Sequence, residues 1–448
     1  MDISESKLPT SWESIKLGTF VENEKGKKPK NQSTHSTAEL NLPYVDIEAF
    51  ESGNIKSWTD GKGCRLCYES DFLMVWDGSR SGLVGKGMNG ALGSTLVRIN
   101  FPSMSNQYAY YFLLSKYQEI NTRAKGSGTP HVDPDLLWNY EFPVPPSNEQ
   151  KRIVAKIEEL FSELDKGIES LQTAREQLKV YRQAVLKHAF EGKLTKQWKS
   201  FAKPDEWERF TLGELLEFLT SGSRGWAKFY SDSGDLFIRA QNLKYDRLDL
   251  NDIAFVDLPS ATEGKRTQVQ QGDLLITITG ANVTKTGMVA SDIGTAYVSQ
   301  HVALYRPTNK VYSEFLYWFL VSEAAGRRQL SSFAYGAGKP GLNLENIRSV
   351  VIDLPSISEQ MKIVERINEL LSTEEKTAYS IEQDITRAEH LRQSILKKAF
   401  SGQLVPQDPS DEPASELLAR IQAEKAALSK KAKKTPAKRG RRAKGVSE

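Results

Sequence analysis

The sequence predicts an α+β fold: two globular α/β domains and two long helices that pair as a coiled coil, related by a pseudo-twofold internal repeat. Three observations predict it. A helical stretch of about fifty residues occurs twice in the same register. The repeat continues outside the helices, with similar ends and a divergent middle. Each half also carries short β-rich runs followed by one aromatic-rich helix.

The helical copies run from Ser147 to Thr195 and from Ile357 to Val405. Glu149-Gln150 in the first becomes Glu359-Gln360 in the second, and Arg182-Gln183 becomes Arg392-Gln393, each 210 positions on, so neither copy has an insertion. Apolar residues recur at steps of three and four in the first copy, at Ile153, Ile157, Leu160, Leu164, Ile168, Leu171, Ala174 and Leu178; the second keeps the seam less cleanly, with Ile363, Ile367, Leu370, Ala378, Ile381, Ala388, Leu391 and Ile395. That is the narrow seam a coiled coil uses. Prolines precede both starts, Ser147, Asn148 and Ser358 are candidate caps, and Gly192 and Gly402 supply stops. About 43 residues at roughly 1.5 Å each give a rod of about 65 Å. A single rod leaves its seam in water, so the two copies are expected to pack on each other. The other arrangement is each helix buried in its own domain.

The openings repeat too: Trp12 and Leu17-Gly18 match Trp207 and Leu212-Gly213. The spacing between copies grows from 195 there to 210 at Gly126 and Gly336, so the second half holds about 15 extra residues. Expected strands are Leu42–Ile47, Phe72–Trp76, Ser94–Ile99 and Asn139–Pro143, with counterparts Leu236–Ala240, Leu274–Thr279, Val302–Arg306 and Arg348–Leu354. The aromatic helices hold Tyr108, Tyr111, Phe112 and Leu113, and Phe315, Trp318, Phe319 and Leu320, all read as core. The resulting division is 1–146, first domain; 147–195, first helix; 196–356, second domain; 357–405, second helix; 406–448, a linker, a short helix over Ser415–Leu428 and a disordered basic tail.

Charge limits the function. The chain carries +3 overall, but Ser429–Glu448 alone holds nine Lys/Arg and one Glu, so the remainder is net acidic. Nucleic-acid binding would need local patches, the tail or a partner. No apolar run reaches membrane-span length, the N-terminus lacks a signal-peptide core, and two cysteines fit a reducing cytoplasm.

A search for catalytic chemistry finds little. Cys64-x-x-Cys67 stands alone, without the second pair or the histidines a zinc site needs. The glycine loops Gly126–Pro130 and Gly336–Pro340 lack the Walker spacing. They read as tight turns that let backbone approach a neighbouring helix or a DNA phosphate. Several loops do combine cations, amides and hydroxyls, the groups that contact phosphates and base edges. The candidates are Lys28, Ser79, Arg80, Ser81 and Lys125 in the first half, and Arg224, Arg239, Asn242, Lys244, Asn282 and Lys285 in the second. Arg80 and Arg239 suit guanine, and Asn242 or Asn282 suits adenine.

The two P/S-x-x-E-Q-x-x-I-V starts (Pro146–Val154, Ser356–Val364), the R-Q-[AS]-[IV]-L-x-x-A-F-x-G-x-L ends and the W-E-x-x-x-L-G openings resemble the specificity subunit of type I restriction–modification systems. The resemblance implies two target-recognition domains separated by two long antiparallel helices, each domain reading half of a split, asymmetric DNA site. It implies two modification subunits methylating adenine and two restriction subunits, with S-adenosylmethionine, ATP and Mg bound there and no cofactor in this non-catalytic chain. The alternatives are a specificity protein for an orphan methyltransferase or related phage-defence system, a coiled-coil adaptor that binds proteins, and a stand-alone enzyme.

Overall fold

The structure, a computed structural model, describes residues 8–102, 104–202, 206–222, 224–244, 246–259, 264–336, 338 and 340–434. The basic tail beyond Lys434, and Ala337 and Lys339 of the second glycine loop, lie outside the described residues. Two compact units divide the chain, residues 1–169 with 385–448 and residues 170–384. The division falls inside both long helices, Ser147–Phe190 and Ile357–Phe400, 44 residues each. Each unit therefore holds the first half of one helix and the second half of the other.

Unit 1 is built on a four-stranded antiparallel sheet ordered Glu22–Lys25, Leu96–Asn100, Phe72–Val75, Val84–Lys86. A second sheet of short strands pairs Leu42–Val45 in parallel with Gly90–Leu92. A third ladder joins Glu13–Lys16 to Glu141–Val144. Unit 2 repeats the plan: Leu216–Ser221, Val302–Pro307, Leu274–Thr277, Thr286–Met288 in one sheet; Asp235–Ile238 parallel to Ala296–Val298 in another; Glu208–Thr211 against Val351–Leu354. Part of its extra length forms a small hairpin, Leu243–Lys244 with Arg247–Leu248. Both aromatic helices are core, as expected: Tyr108, Phe112 and Leu113 in unit 1 and Phe315, Phe319 and Leu320 in unit 2 are buried.

Within each unit the helix halves run antiparallel. In unit 1 the Arg392 guanidinium pairs with Asp165 and lies 5.0 Å from the Phe161 ring centre. In unit 2 Arg182, its repeat counterpart, reaches Glu374 at 3.4 Å, and Arg175 reaches Glu382 at 3.2 Å. The expected seam holds in part. Ile153, Ile157, Ile363, Ile367 and Ile381 are buried; Leu160, Leu164, Leu171, Leu178, Leu370 and Ile395 are half-buried. Leu391 departs from it, 45% exposed, as does its counterpart Tyr181 at 42%. An ideal helix drifts about 20° per heptad from a 3.5-residue repeat, and these helix ends sit in globular cores rather than on one narrow stripe. Phe161 and Leu396 enter the core of unit 1, and Leu186 and Leu371 that of unit 2.

The Glu-Gln pair at each helix start is a fastening rather than a surface cap. Glu149 is buried and accepts from the Trp12 indole at 2.9 Å and from Gln407. Burial pushes its carboxyl above the ordinary range, offset in part by those two hydrogen bonds. Glu359 is fully buried; it accepts from Trp207 and Thr195 and forms an ion pair with Lys199. The neighbouring glutamines tie the helix start to the segment just before the aromatic helix: Gln150 accepts from Ser105 N–H and Gln360 from Tyr312 N–H. Ser147 and Ser358 lie inside the helices.

The C-terminal helix runs Ala414–Lys434, so Ser429–Lys434 is helical where disorder was expected. Its Ala/Leu/Lys run has high helix propensity, and the first breaker is Pro436. Ala414, Leu417, Leu418 and Ile421 pack into the core of unit 1. Cys67 is buried, its thiol pushed up to about 12 by that burial, and it donates to the Gly90 carbonyl. No helix among the described residues is long and apolar enough to cross a membrane.

Candidate nucleic-acid interface

The candidate residues gather on one loop cluster that has the same backbone plan in both units. Its centre is the turn joining two adjacent strands of the main sheet, Phe72–Val75 to Val84–Lys86 in unit 1 and Leu274–Thr277 to Thr286–Met288 in unit 2. The hydrogen bonds match one for one. Gly78 N–H donates to the Pro130 carbonyl, and Gly280 N–H to Pro340. Gly82 N–H returns to Val75, and Thr284 N–H to Thr277. Arg80 and Asn282 therefore occupy equivalent places at the turn. The glycine loops have a structural task here: they supply the carbonyl that closes the turn's first residue.

Two further loops flank the turn. Gly26 and Gly222 hold the first, because a Cβ at either would lie 2.1 Å from a carbonyl oxygen, that of Gly93 or of Val298. This close approach places Lys28 and Arg224 at equivalent positions. Both are exposed and neither pairs with another described charge. The second loop follows the parallel strand. Gly93 N–H donates to Val45 and Ser299 N–H to Ile238, which makes Asp46 the counterpart of Arg239. Asp46 caps the helix Ile47–Ser52 through Ala49 N–H. From that helix Glu51 pairs with Arg80. In unit 2 the Asn282 amide donates instead to the Ala240 carbonyl at 3.4 Å.

The structure sorts the candidates. Arg80, Ser79, Lys28, Arg224 and Lys244 are exposed. Lys125 pairs with Asp133 at 2.9 Å yet is 54% exposed, and Lys285 lies 3.6 Å from Asp246. Asn282 is half-buried with its amide committed, as above. Arg239 donates to the Asp252 carbonyl, while its buried Nε has no hydrogen-bond partner among the described residues. It lines a cavity of about 290 Å³ with Trp226, Tyr230, Gln241, Gln300 and His301. Two candidates point inward. Ser81 is fully buried, behind the turn. Asn242 is buried with its oxygen on Arg239 N–H and its amide on the Asp249 and Asp252 carbonyls, so it holds the loop.

Sequence reasoning missed the residues that grip the turns from behind. In unit 1 the Asn121 amide donates to the Ser79 and Ser81 carbonyls, each at 2.9 Å. In unit 2 Arg327, bonded to Asp246, reaches the Thr284 carbonyl at the end of the turn. No motif marks them, because their meaning lies in contacts across forty residues or more. The arrangement offers no nucleophile with an adjacent base. It offers exposed cations on hydrogen-bonded turns, which suits phosphate and base-edge contacts.

Comparison with known proteins agrees. The type I restriction modification DNA specificity domain family matches residues 9–173 and 204–387. The MjaVIII type I restriction enzyme specificity subunit of Methanocaldococcus jannaschii is 26% identical, over 81% of this chain and 87% of its own length. The EcoKI specificity subunit of Escherichia coli K12 is 26% identical, over 95% of this chain and 98% of its own. A chain from a solved type I R-M system has the same fold, with a TM-score of 0.67 at 20% identity, covering 89% of this chain and all of that one. The two matched segments include most of both loop clusters and most of the paired helices, and the chain belongs to the type I restriction–modification DNA specificity family.

Proposed function

We propose that this chain is the specificity subunit of a type I restriction–modification complex and reads an asymmetric, two-part DNA site. The observation that carries the reading is the equivalence of the two loop clusters with unlike side chains upon them: Arg80 against Asn282, Lys28 against Arg224, Asp46 against Arg239. One scaffold with two surfaces suits two different half-sites. A duplex presents the same face once per turn, so two half-sites read from one side would lie about 10 bp apart.

The chain has no chemistry of its own in this reading. Two modification subunits would supply adenine methylation with S-adenosylmethionine, and two restriction subunits would supply cleavage with ATP and Mg. These subunits would meet the DNA in the cytoplasm and share its clamping, which fits a net acidic body.

An electrophoretic shift with the modification subunit present tests the binding. The logarithm of the apparent affinity should fall linearly with log salt, as phosphate neutralisation requires. A protein-binding adaptor gives no such slope. Arg80→Ala should weaken binding about 5- to 150-fold when the half-site read by unit 1 is intact and leave discrimination in the other half unchanged. Equal loss at both halves assigns Arg80 to phosphate contact alone.

A further inference from the structure

We infer that the buried Asp246–Arg327 pair is a positioning device for the reading turn of unit 2, and so determines which half-site that unit accepts. The inference rests on the DNA-reading function proposed above. Asp246 and Thr284 are the two non-glycine residues with positive φ among those described, 60° and 73°. For a β-branched threonine this is an outlier that surrounding contacts must hold in place. Both sit at the candidate interface. Thr284 ends the turn that carries Asn282 and precedes Lys285; Asp246 lies in the extra hairpin, next to the strand that carries Lys244.

Arg327 joins them. From the helix Gly326–Phe333 it donates to both Asp246 oxygens, one at 2.9 Å, and lies 3.5 Å from the Thr284 carbonyl. Asp246 also accepts from Thr286 N–H at 3.2 Å, and its own carbonyl accepts from the Tyr317 hydroxyl at 2.6 Å. Burial pushes the Asp246 carboxyl up, but Arg327, Lys285 and the Thr286 N–H outweigh it and hold the group below the usual range. One ion pair thus fixes two left-handed residues, a hairpin and a reading turn.

Unit 1 solves the same problem without charge. Gly82, with φ 92°, stands in the place of Thr284, and the neutral Asn121 amide grips the turn. A glycine needs no restraint to stay left-handed. The threonine in unit 2 does, and the ion pair supplies it.

The test uses the full chain assembled with its modification subunits, on duplexes altered in one half-site at a time. Asp246→Asn with Arg327→Leu removes the pair without leaving an unpaired buried charge. Discrimination at the half-site read by unit 2 should drop about tenfold or more, with the other half unchanged. Adding Thr284→Gly should recover most of the loss, because the turn then needs no clamp. Should the double variant fail to fold, Arg327→Lys asks the same question, since a lysine keeps a charge beside Asp246 but lacks the two-nitrogen fork that holds both carboxylate oxygens; it should lose the same half-site. Wild-type discrimination in the variants, equal loss at both halves, or no rescue by glycine overturns the inference. Absence of two-part specificity in the wild-type complex overturns the function reading itself, and the wild-type control distinguishes the two failures.

Discussion

Glu359→Ala lowers the stability of unit 2 by about 2–4 kcal/mol, the cost of leaving two neutral donors at a buried site without their acceptor. The carboxylate is fully buried, accepts from Thr195 Oγ1 at 2.8 Å and Trp207 Nε1 at 3.1 Å, and forms an ion pair with Lys199 Nζ at 3.0 Å. Alanine strands all three partners. Lys199 is a third exposed and recovers water, so most of the cost falls on Trp207 and Thr195. The lysine also loses the fixed place it holds 4.8 Å from the Trp207 ring centre. In a body of this size each kcal/mol moves Tm by about 2–4 °C. Differential scanning calorimetry should show the transition of unit 2 shifted down and that of unit 1 unmoved. Glu359→Gln, which keeps one acceptor oxygen, should lie between. A loss below about 1 kcal/mol would mean that the network contributes little beyond a typical single hydrogen bond.

Inserting four residues at the same level of both long helices changes the DNA site that is recognised. The level is set by Arg175 opposite Glu382, so the insertions go between Thr173 and Ala174 and between Gln383 and Asp384. Four residues add about 6 Å of rise and leave a rotation of about 40°. At 3.4 Å per base pair along one strand, the rise matches about two base pairs; the rotation matches about one. The unread gap should therefore lengthen by one or two base pairs. Binding to the original site should fall toward the non-specific level, about a thousandfold or more. An unchanged gap in the methylated motif contradicts the expectation that the long helices set the distance between the half-sites.

The parts of the fold with a period or a repeat were legible in the sequence. The identical spacing of Glu149-Gln150 and Arg182-Gln183 from their copies defines two helices of equal length, and the structure gives each 44 residues. The strands at Phe72 and Leu274 and both aromatic helices were readable because apolar runs have one solution against a sheet. What a linear pattern cannot carry is direction at the end of a side chain. Ser81 and Ser79 look alike in the sequence, yet one is sealed behind the turn and the other faces water. Asn242 has the chemistry of an adenine reader and spends it on its own loop. Trp12 and Glu149 were both visible as repeated residues, but that the indole bonds to the carboxylate emerges only when residues 137 apart meet. Asp246 and Arg327 carry no local signature for the same reason.

The account stands on two unlike reading surfaces acting on one duplex. Single-molecule methylome sequencing of cells with and without this gene tests that claim most directly. It predicts one motif, asymmetric and split by an unread gap, whose adenine methylation vanishes when the gene is removed. A continuous or palindromic motif, or methylation that persists unchanged without the gene, contradicts it.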